Sequence, residues 1–104
     1  MGIARVALPV AAHAEFAYWA PSGLGIAVGS VVRVQLARRA LVGVVVALGE
    51  TSDVETARLQ PVTEVVAELP PLPDDLLAVA RFIAGYYQEP LGQVLAQMLP
   101  PQES

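Results

Sequence analysis

The stretch that decides the fold is VVRVQLARRALVGVVVAL, residues 31–48. Residues 31–37 alternate between apolar and polar side chains, which is the pattern of a half-buried strand. Residues 41–48 form a nearly continuous β-branched run, which is typical of a more deeply buried strand. Because the polar pair Arg38 and Arg39 separates the two runs, the stretch predicts an antiparallel hairpin with two arginines at its tip.

Shorter strand candidates flank this hairpin. Residues 3–9 are extended and end in a proline, and residues 16–20 are closed by a Pro-Ser-Gly turn. Residues 61–68 predict a further strand at a sheet edge, because Pro61 has no N–H group to donate to a neighbouring strand. Gly43 lies inside the long apolar run, where a glycine indicates a bulge or tight curvature, as in a small barrel.

Helical spacing begins after the proline-rich connector at residues 69–75. Asp74 is expected to cap a helix, and Asp75 suits its positive first turn. Pro90 is expected in the first turn of a second, short helix. The apolar residues at helical spacing in the first helix are Leu76, Val79, Ala80, Ile83 and Tyr87. Those of the second helix are Leu91, Val94, Leu95 and Met98.

These patterns predict an α+β fold, with a small curved antiparallel β-sheet or partial barrel followed by a C-terminal helical segment. The β-rich part spans residues 3–68 and the helical part residues 74–98. A chain of 104 residues forms one domain, which we place at residues 1–100, and residues 101–104 are expected to begin a linker.

The composition favours a cytoplasmic protein without a membrane segment. Although 55% of the residues are hydrophobic, the longest apolar run is far shorter than the roughly 20 residues of a membrane-spanning helix. Pro9 interrupts the apolar start of the chain, whereas a secretory signal needs about 7–15 uninterrupted apolar residues. The absence of cysteine excludes a disulfide framework and a thiolate metal site.

The charges are unevenly distributed along the chain. The net charge of −4 argues at first against nucleic acid as a ligand. However, residues 1–48 sum to +3 and residues 49–104 to −7, and every cation is an arginine. The N-terminal half can therefore present a weakly basic face, and the planar arginine fork suits phosphate and base edges.

No catalytic constellation is present in the sequence. His13 is the only histidine and has few carboxylates near it in sequence, so a surface or capping role is favoured. The glycines at positions 23, 25 and 29 lack the spacing of a phosphate-binding loop. We therefore interpret the domain as a binding module with no catalytic residue, metal or cofactor of its own.

Two aromatic clusters bear on the ligand. Three of the six aromatic residues lie in EFAYWAPSG, residues 15–23, and such a cluster either fills a core or forms a stacking surface. The pair Tyr86 and Tyr87 ends the predicted first helix, where packing alone favours a half-buried position in the core.

Taken together, these motifs resemble the N-terminal DNA-binding domain of the primosomal replication-restart helicase PriA. The resemblance extends from about residue 3 to residue 100. It includes VALPV at residues 6–10, FAYWAP at residues 16–21 and the glycine, valine and arginine block at residues 29–45. The most specific element is A-x-Y-Y-x-x-P-L-G-x-V-L-x-x-x-L-P, which begins at Ala84.

The resemblance implies a role at stalled or branched replication forks, where the family's domain recognises the 3′ end of the nascent leading strand. It implies a parent protein of the ATP-dependent 3′–5′ DNA helicase family, which binds ATP and zinc in other domains. The implied partners are forked or 3′-ended DNA, the parent protein's own helicase domains, single-stranded-DNA-binding protein and primosome components.

The resemblance also implies a pocket for the 3′-terminal nucleotide, and this chain departs from the family pattern there. Phe16 and Tyr18 match the family, but Ala17 replaces an aspartate. Ala37 replaces a glycine, and Gln60 replaces a lysine. The expected DNA-binding residues are Phe16, Ala17, Tyr18, Leu36, Ala37, Arg38, Arg39 and Gln60.

Two hypotheses follow for the function. In the first, Phe16 and Tyr18 stack on a terminal base and Arg38 and Arg39 contact phosphates, with help from Arg33 or Arg58, and selectivity for a free 3′-hydroxyl is weakened. In the second, the domain has kept the fold but lost the pocket, and it acts as a protein-interaction or interdomain docking module.

Overall fold

The computed structural model describes residues 2–11, 15–49 and 59–100. A five-stranded antiparallel sheet with the strand order β2-β1-β4-β3-β5 is followed by two helices, which confirms the α+β prediction. The strands are β1 Gly2–Ala7, β2 Phe16–Ala20, β3 Val31–Leu36, β4 Arg39–Gly49 and β5 Glu64–Val65. The helices are α1 Asp74–Tyr87 and α2 Leu91–Met98, and a short 3-10 turn spans Ser22–Leu24.

The predicted central hairpin is confirmed. β3 and β4 pair in register from Val31 opposite Val44 to Leu36 opposite Arg39. The turn consists of Ala37 and Arg38 alone, so β4 begins two residues earlier than the sequence pattern predicted. Arg39 is therefore the first residue of a strand rather than a turn residue.

Residues 59–63, which we call the closing segment, link β2 at one edge of the sheet to β3 near the other edge. The Trp19 N–H of β2 donates to the Gln60 carbonyl (2.9 Å), and the Val62 N–H donates to the Trp19 carbonyl (2.9 Å). These two bonds lie on either side of Pro61, which therefore needs no N–H of its own. Further along, the Thr63 N–H donates to the Arg33 carbonyl of β3 (2.9 Å). The segment thus curls the open sheet toward a partial barrel.

This division of partners explains why the predicted strand at residues 61–68 is mostly wrong. Only Glu64–Val65 forms a ladder, with β3, because residues 60–62 pair with Trp19 of β2 instead. A segment that changes partner after a few residues cannot extend a regular ladder with either neighbour. The predicted edge position of this strand is confirmed.

The curvature at β4 does not come from a bulge at Gly43. The register between β1 and β4 shifts between Arg5, opposite Ala47, and Val6, opposite Val45, which leaves Val46 as the extra residue. At Gly43 a Cβ atom would lie 2.6 Å from the Ala7 carbonyl oxygen. The glycine is therefore needed for close approach of β1.

Two apolar clusters lie on opposite faces of the sheet, because neighbouring residues of β4 alternate between them. Val45 belongs to the inner cluster, whereas Val44 and Val46 pack under the helices. The other buried members of the inner cluster are Ala4, Val6, Leu8, Tyr18, Val32, Val34 and Val62. Those of the helix-covered cluster are Ala7, Leu77, Ala80, Val94 and Leu95.

Helix α1 differs from the prediction at its start. Pro73 occupies the cap position in extended conformation and makes no side-chain cap hydrogen bond, and Asp74 is already helical. The expected Asp74 cap is therefore wrong, because the proline before it takes the capping position. Both aspartates lie in the positive first turn as expected, and the Asp75 Oδ1 atom accepts a hydrogen bond from the Leu76 N–H (2.9 Å).

The buried face of α1 is also rotated from the prediction. Leu77 and Ala80 are buried, whereas Val79 and Tyr87 of the predicted stripe are exposed. Apolar residues surround almost the whole helix, so their spacing alone does not fix the register. The expected half-buried tyrosine pair is accordingly wrong, because Tyr86 and Tyr87 both lie on the exposed side.

Helix α2 follows its prediction closely. It begins at Leu91, directly after Pro90, which takes the cap position one residue before the predicted first turn. Gly92 lies so close to the chain directly after β1 that a Cβ atom there would overlap the backbone of Leu8. The predicted apolar stripe packs against the sheet, with Val94 and Leu95 buried and with Leu91 and Met98 partly buried. Neither α1 nor α2, the helices of the described residues, has the length and apolar character needed to span a bilayer.

Candidate nucleic-acid interface

A cavity of about 440 Å³ opens where β2, the β3–β4 turn and the closing segment meet. It unites seven of the eight residues that the sequence predicted for the site. The lining residues are Phe16, Ala17, Tyr18, Gln35, Leu36, Ala37, Arg38, Leu59 and Gln60. Its size is in the usual range for a small-molecule or nucleotide site, about 300–1,000 Å³.

For three residues, the cavity lining differs from the set of site residues that the sequence predicted. Arg39 is exposed in β4 but does not line the cavity, whereas Gln35 and Leu59 do. The alternation of β3 placed Gln35 on the polar face of the strand, beside the hairpin tip. This pattern could have predicted Gln35 as a residue of the cavity. No sequence signal indicated Leu59, since its place depends on the closing segment.

Tyr18 supports the cavity wall. Its side chain is buried, and its hydroxyl donates a hydrogen bond to the Gln35 carbonyl at 2.7 Å. Burial raises the pKa of the Tyr18 phenol above its ordinary value of 10.0. The hydrogen bond fixes β2 against the hairpin, so Tyr18 is a structural support of the site rather than an open platform.

Phe16 and Ala17 form the β2 side of the cavity. Phe16 is half-buried, opposite Val6 in the β1–β2 ladder, and packs against the inner cluster. Part of its ring therefore rests on the core while the residue lines the cavity. Ala17, opposite Arg5, contributes only a methyl group to the cavity lining.

The hairpin turn has an unusual backbone. Ala37 and Arg38 both have positive φ angles, 50° and 69°, as the two central residues of a type I′ turn require. Glycine and asparagine are the usual residues there, because the left-handed conformation costs other residues about 1–2 kcal/mol each. The pairing of β3 with β4 holds this turn in place and brings Arg38 to the cavity.

Gln60 is held by the backbone bond that its carbonyl accepts from the Trp19 N–H. This bond places Gln60 beside the β2 residues of the cavity. Its amide can donate and accept hydrogen bonds, but it brings no charge to a phosphate. Among the described residues, Arg38 is accordingly the one charged residue that lines the cavity.

The other arginines differ in their engagement. Arg33 pairs with Glu64 (3.4 Å), and Arg81 pairs with Glu15 (3.5 Å). Within the described residues, Arg5, Arg38 and Arg39 are exposed and form no ion pair, and of the three only Arg38 lines the cavity. Arg58 and His13 lie outside the described residues. Among the described arginines, those of the hairpin tip are therefore the ones available at this cavity.

The described residues give no indication of a metal centre. Across residues 2–11, 15–49 and 59–100, no group of three or more histidines, aspartates or glutamates is close enough to bind a metal ion. The cavity instead offers an aromatic ring, neutral amide groups and one guanidinium group. These groups suit a flat ring with an attached anion, which is the chemistry of a nucleotide.

The comparison with known families agrees with this chemistry. The family model of the PriA 3′ DNA-binding domain matches residues 5–100 of the chain. The match includes every residue that lines the cavity. The chain therefore belongs to the family of PriA 3′ DNA-binding domains, which bind DNA in replication restart.

Proposed function

We propose that this domain binds the 3′ end of the nascent leading strand at stalled or branched replication forks. The observation that carries the proposal is the cavity itself, which unites Phe16, Ala37, Arg38 and Gln60 from three separate parts of the chain. In this proposal the terminal base lies against Phe16 and a phosphate lies near Arg38.

The energies favour stacking as the main attraction. Stacking of a base on an aromatic side chain contributes about 1–3 kcal/mol and depends little on the base. Phe16 is the better placed ring, because Tyr18 is buried and its hydroxyl already donates to Gln35. Tyr18 then acts by holding Gln35, and with it the hairpin, in place beside the base.

Selectivity for a free 3′-hydroxyl is proposed to be weak. Within residues 2–11, 15–49 and 59–100 no acidic side chain lines the cavity, so none of these residues offers a carboxylate to accept a hydrogen bond from the hydroxyl. A missing charge-assisted hydrogen bond corresponds to about 1.5–3 kcal/mol, which is roughly a ten- to hundredfold change in affinity. Arg38 would also attract a 3′-phosphate rather than repel it.

The selectivity is tested with matched forks that end in a 3′-hydroxyl or a 3′-phosphate, by fluorescence anisotropy. We expect the two affinities to agree within a few-fold. Ala17→Asp should create a preference for the hydroxyl of tenfold or more, because it supplies a carboxylate and repels the phosphate. Ala40→Asp, on the exposed part of β4 outside the cavity lining, is the matched control. A strong hydroxyl preference of the unmodified protein would contradict the proposal.

The phosphate contacts are tested by the dependence of fork affinity on salt. Each phosphate contact contributes about one unit to the slope of log K against log salt. Arg38→Ala with Arg39→Ala should therefore weaken binding and flatten the slope by about one to two units. Arg81→Ala removes a cation that is engaged with Glu15, so its slope should stay that of the unmodified protein. Equal slopes for all variants would exclude the hairpin tip as the phosphate contact.

A second candidate function is that of a protein-interaction or interdomain docking module. The exposed aromatic residues of α1 favour it, because they lie outside the DNA cavity. Absence of fork binding even at low salt would support this alternative. In either case the helicase domains of the parent protein, single-stranded-DNA-binding protein and primosome components are proposed partners. We propose no cofactor for this domain, and because its proposed ligand is replicating DNA, we propose the cytoplasm as its location.

A further inference from the structure

Helix α1 carries an exposed apolar surface that packs on none of the described elements. We call it the α1 aromatic face and define it as Val79, Phe82, Tyr86 and Tyr87. Their exposed fractions are 48%, 70%, 71% and 65%. Phe82 and Tyr86 lie three and seven residues after Val79, so the three side chains form one stripe along the helix. Exposed apolar clusters of this kind mark interaction sites more often than single exposed residues do.

The rings of this face are already arranged against one another. Phe82 and Tyr86 are stacked, with centroids 6.0 Å apart and planes 19° from parallel. Tyr86 and Tyr87 meet edge to face at 4.9 Å. Because these contacts restrict the rings before any partner arrives, less conformational entropy is lost on binding.

Gly85 adds an independent sign of an approaching partner. It lies one residue before Tyr86, within α1, and is exposed. A Cβ atom at this position would meet no heavy atom of the described residues within 4 Å. Their packing therefore does not require a glycine here, although glycine weakens a helix relative to alanine. A bare backbone beside an aromatic stripe would let a partner's backbone or side chain approach closely.

The surrounding charges indicate the chemistry of that partner. Asp74 and Asp75 lie at one end of α1, and Glu89 follows its other end. Arg81, the one cation of the helix, is engaged with Glu15. Residues 59–100 as a whole carry a net charge of −4. These negative charges repel the phosphates of DNA and attract arginine and lysine side chains. Arginine and lysine also bind well on the faces of aromatic rings.

We propose that the α1 aromatic face docks a basic protein segment, with apolar side chains on the stripe and arginine or lysine beside the acidic ends of the helix. No residue of α1 lines the DNA cavity. The domain would then hold DNA at the hairpin side and a basic protein at the helical side. This inference does not depend on 3′-end recognition, because it rests on different residues.

The test uses two labelled peptides with the 104-residue chain. Both are amphipathic helices with the same leucine stripe, flanked in one peptide by arginine and in the other by glutamate. We expect the arginine peptide to bind at least tenfold more tightly by fluorescence anisotropy and to lose affinity as salt rises. Phe82→Ala with Tyr86→Ala should reduce that affinity tenfold or more, in line with the loss of two central aromatic anchors.

Two further variants separate docking from folding. Gly85→Ala should weaken binding of the arginine peptide several-fold. The denaturation midpoint of this variant should stay equal or rise, because the added methyl group meets none of the described residues. Val28→Ala removes an exposed apolar side chain elsewhere and should leave peptide binding unchanged. The double aromatic variant should keep full fork binding, which distinguishes failure here from failure at the DNA cavity.

Three outcomes would overturn the proposal. One is equal affinity for the two peptides, and another is no binding of either. The third is binding of a single-stranded oligothymidine that the Phe82→Ala and Tyr86→Ala changes abolish, which would make the face a base-stacking surface instead.

Discussion

At the scale of single residues, the turn between β3 and β4 holds two residues in a conformation that glycine adopts more easily. Ala37 and Arg38 have φ angles of 50° and 69°. Their strain is local, since the ladder on both sides of the turn is regular from Val31 to Leu36. The pairing of the long strands therefore imposes the turn, rather than the turn residues directing the pairing.

Ala37→Gly should stabilise the protein by about 1 kcal/mol, because it removes the Cβ contact of the left-handed conformation. Urea unfolding followed by the fluorescence of Trp19, the single tryptophan, measures this change. Ala40→Gly is the matched control, because Ala40 is exposed and extended within β4. There the same substitution should destabilise by about 0.5–1 kcal/mol. Equal signs for the two variants would contradict strain at Ala37.

Tyr18→Phe should destabilise the protein by about 0.5–1.5 kcal/mol at neutral pH, through loss of the hydrogen bond to Gln35. It should also change the response to alkali. The pKa of the Tyr18 phenol is raised by burial, so its contribution to stability is complete below pH 10 and falls as the pH rises through the higher folded value. Unfolding free energies at several pH values up to 11 would measure this loss in the unmodified protein. Tyr86→Phe, at an exposed ring, should keep the unmodified profile.

At the scale of elements, the two helices were predictable to different degrees. The stripe of α2 could be read from the sequence, because polar or small residues separate its apolar positions. The register of α1 could not, because hydrophobic residues such as Val79, Phe82 and Tyr86 occur on its exposed side as well as at the buried Leu77. Close packing selects the buried face of α1. The small side chains of Ala80 and Ala84 allow the helix to approach the helix-covered cluster.

A glycine-to-alanine substitution, made separately in each helix, tests how closely the two helices pack. Gly92→Ala should destabilise the protein by about 1–3 kcal/mol or more, because its methyl group overlaps the Leu8 backbone. Gly85→Ala should instead be neutral or stabilise by up to about 1 kcal/mol, since the space there is open. Chemical denaturation of both variants measures the two signs. Destabilisation by Gly85→Ala would mean that α1 packs differently from this description.

At the scale of the whole molecule, the sequence was sufficient for the strand order of the hairpin and for the β-then-α arrangement. Alternation and β-branched runs are local signals, and they predicted residues 31–48 almost to the residue. The resemblance to a known family, rather than periodicity, named most of the residues that the cavity brings together. Gln35 was left out although the strand pattern placed it nearby. Leu59 could not be found, because its position depends on contacts with a distant strand.

The closing segment also determines the order in which parts of the molecule can fold. The hairpin and the β1–β2 pair are local in sequence and can form early, whereas the Trp19 bonds must wait for Gln60 and Val62 to arrive from far along the chain. The cavity needs all three parts. A nascent or partly unfolded chain would therefore possess most of its sheet but not the cavity, and the proposed DNA affinity would report on the last step of assembly.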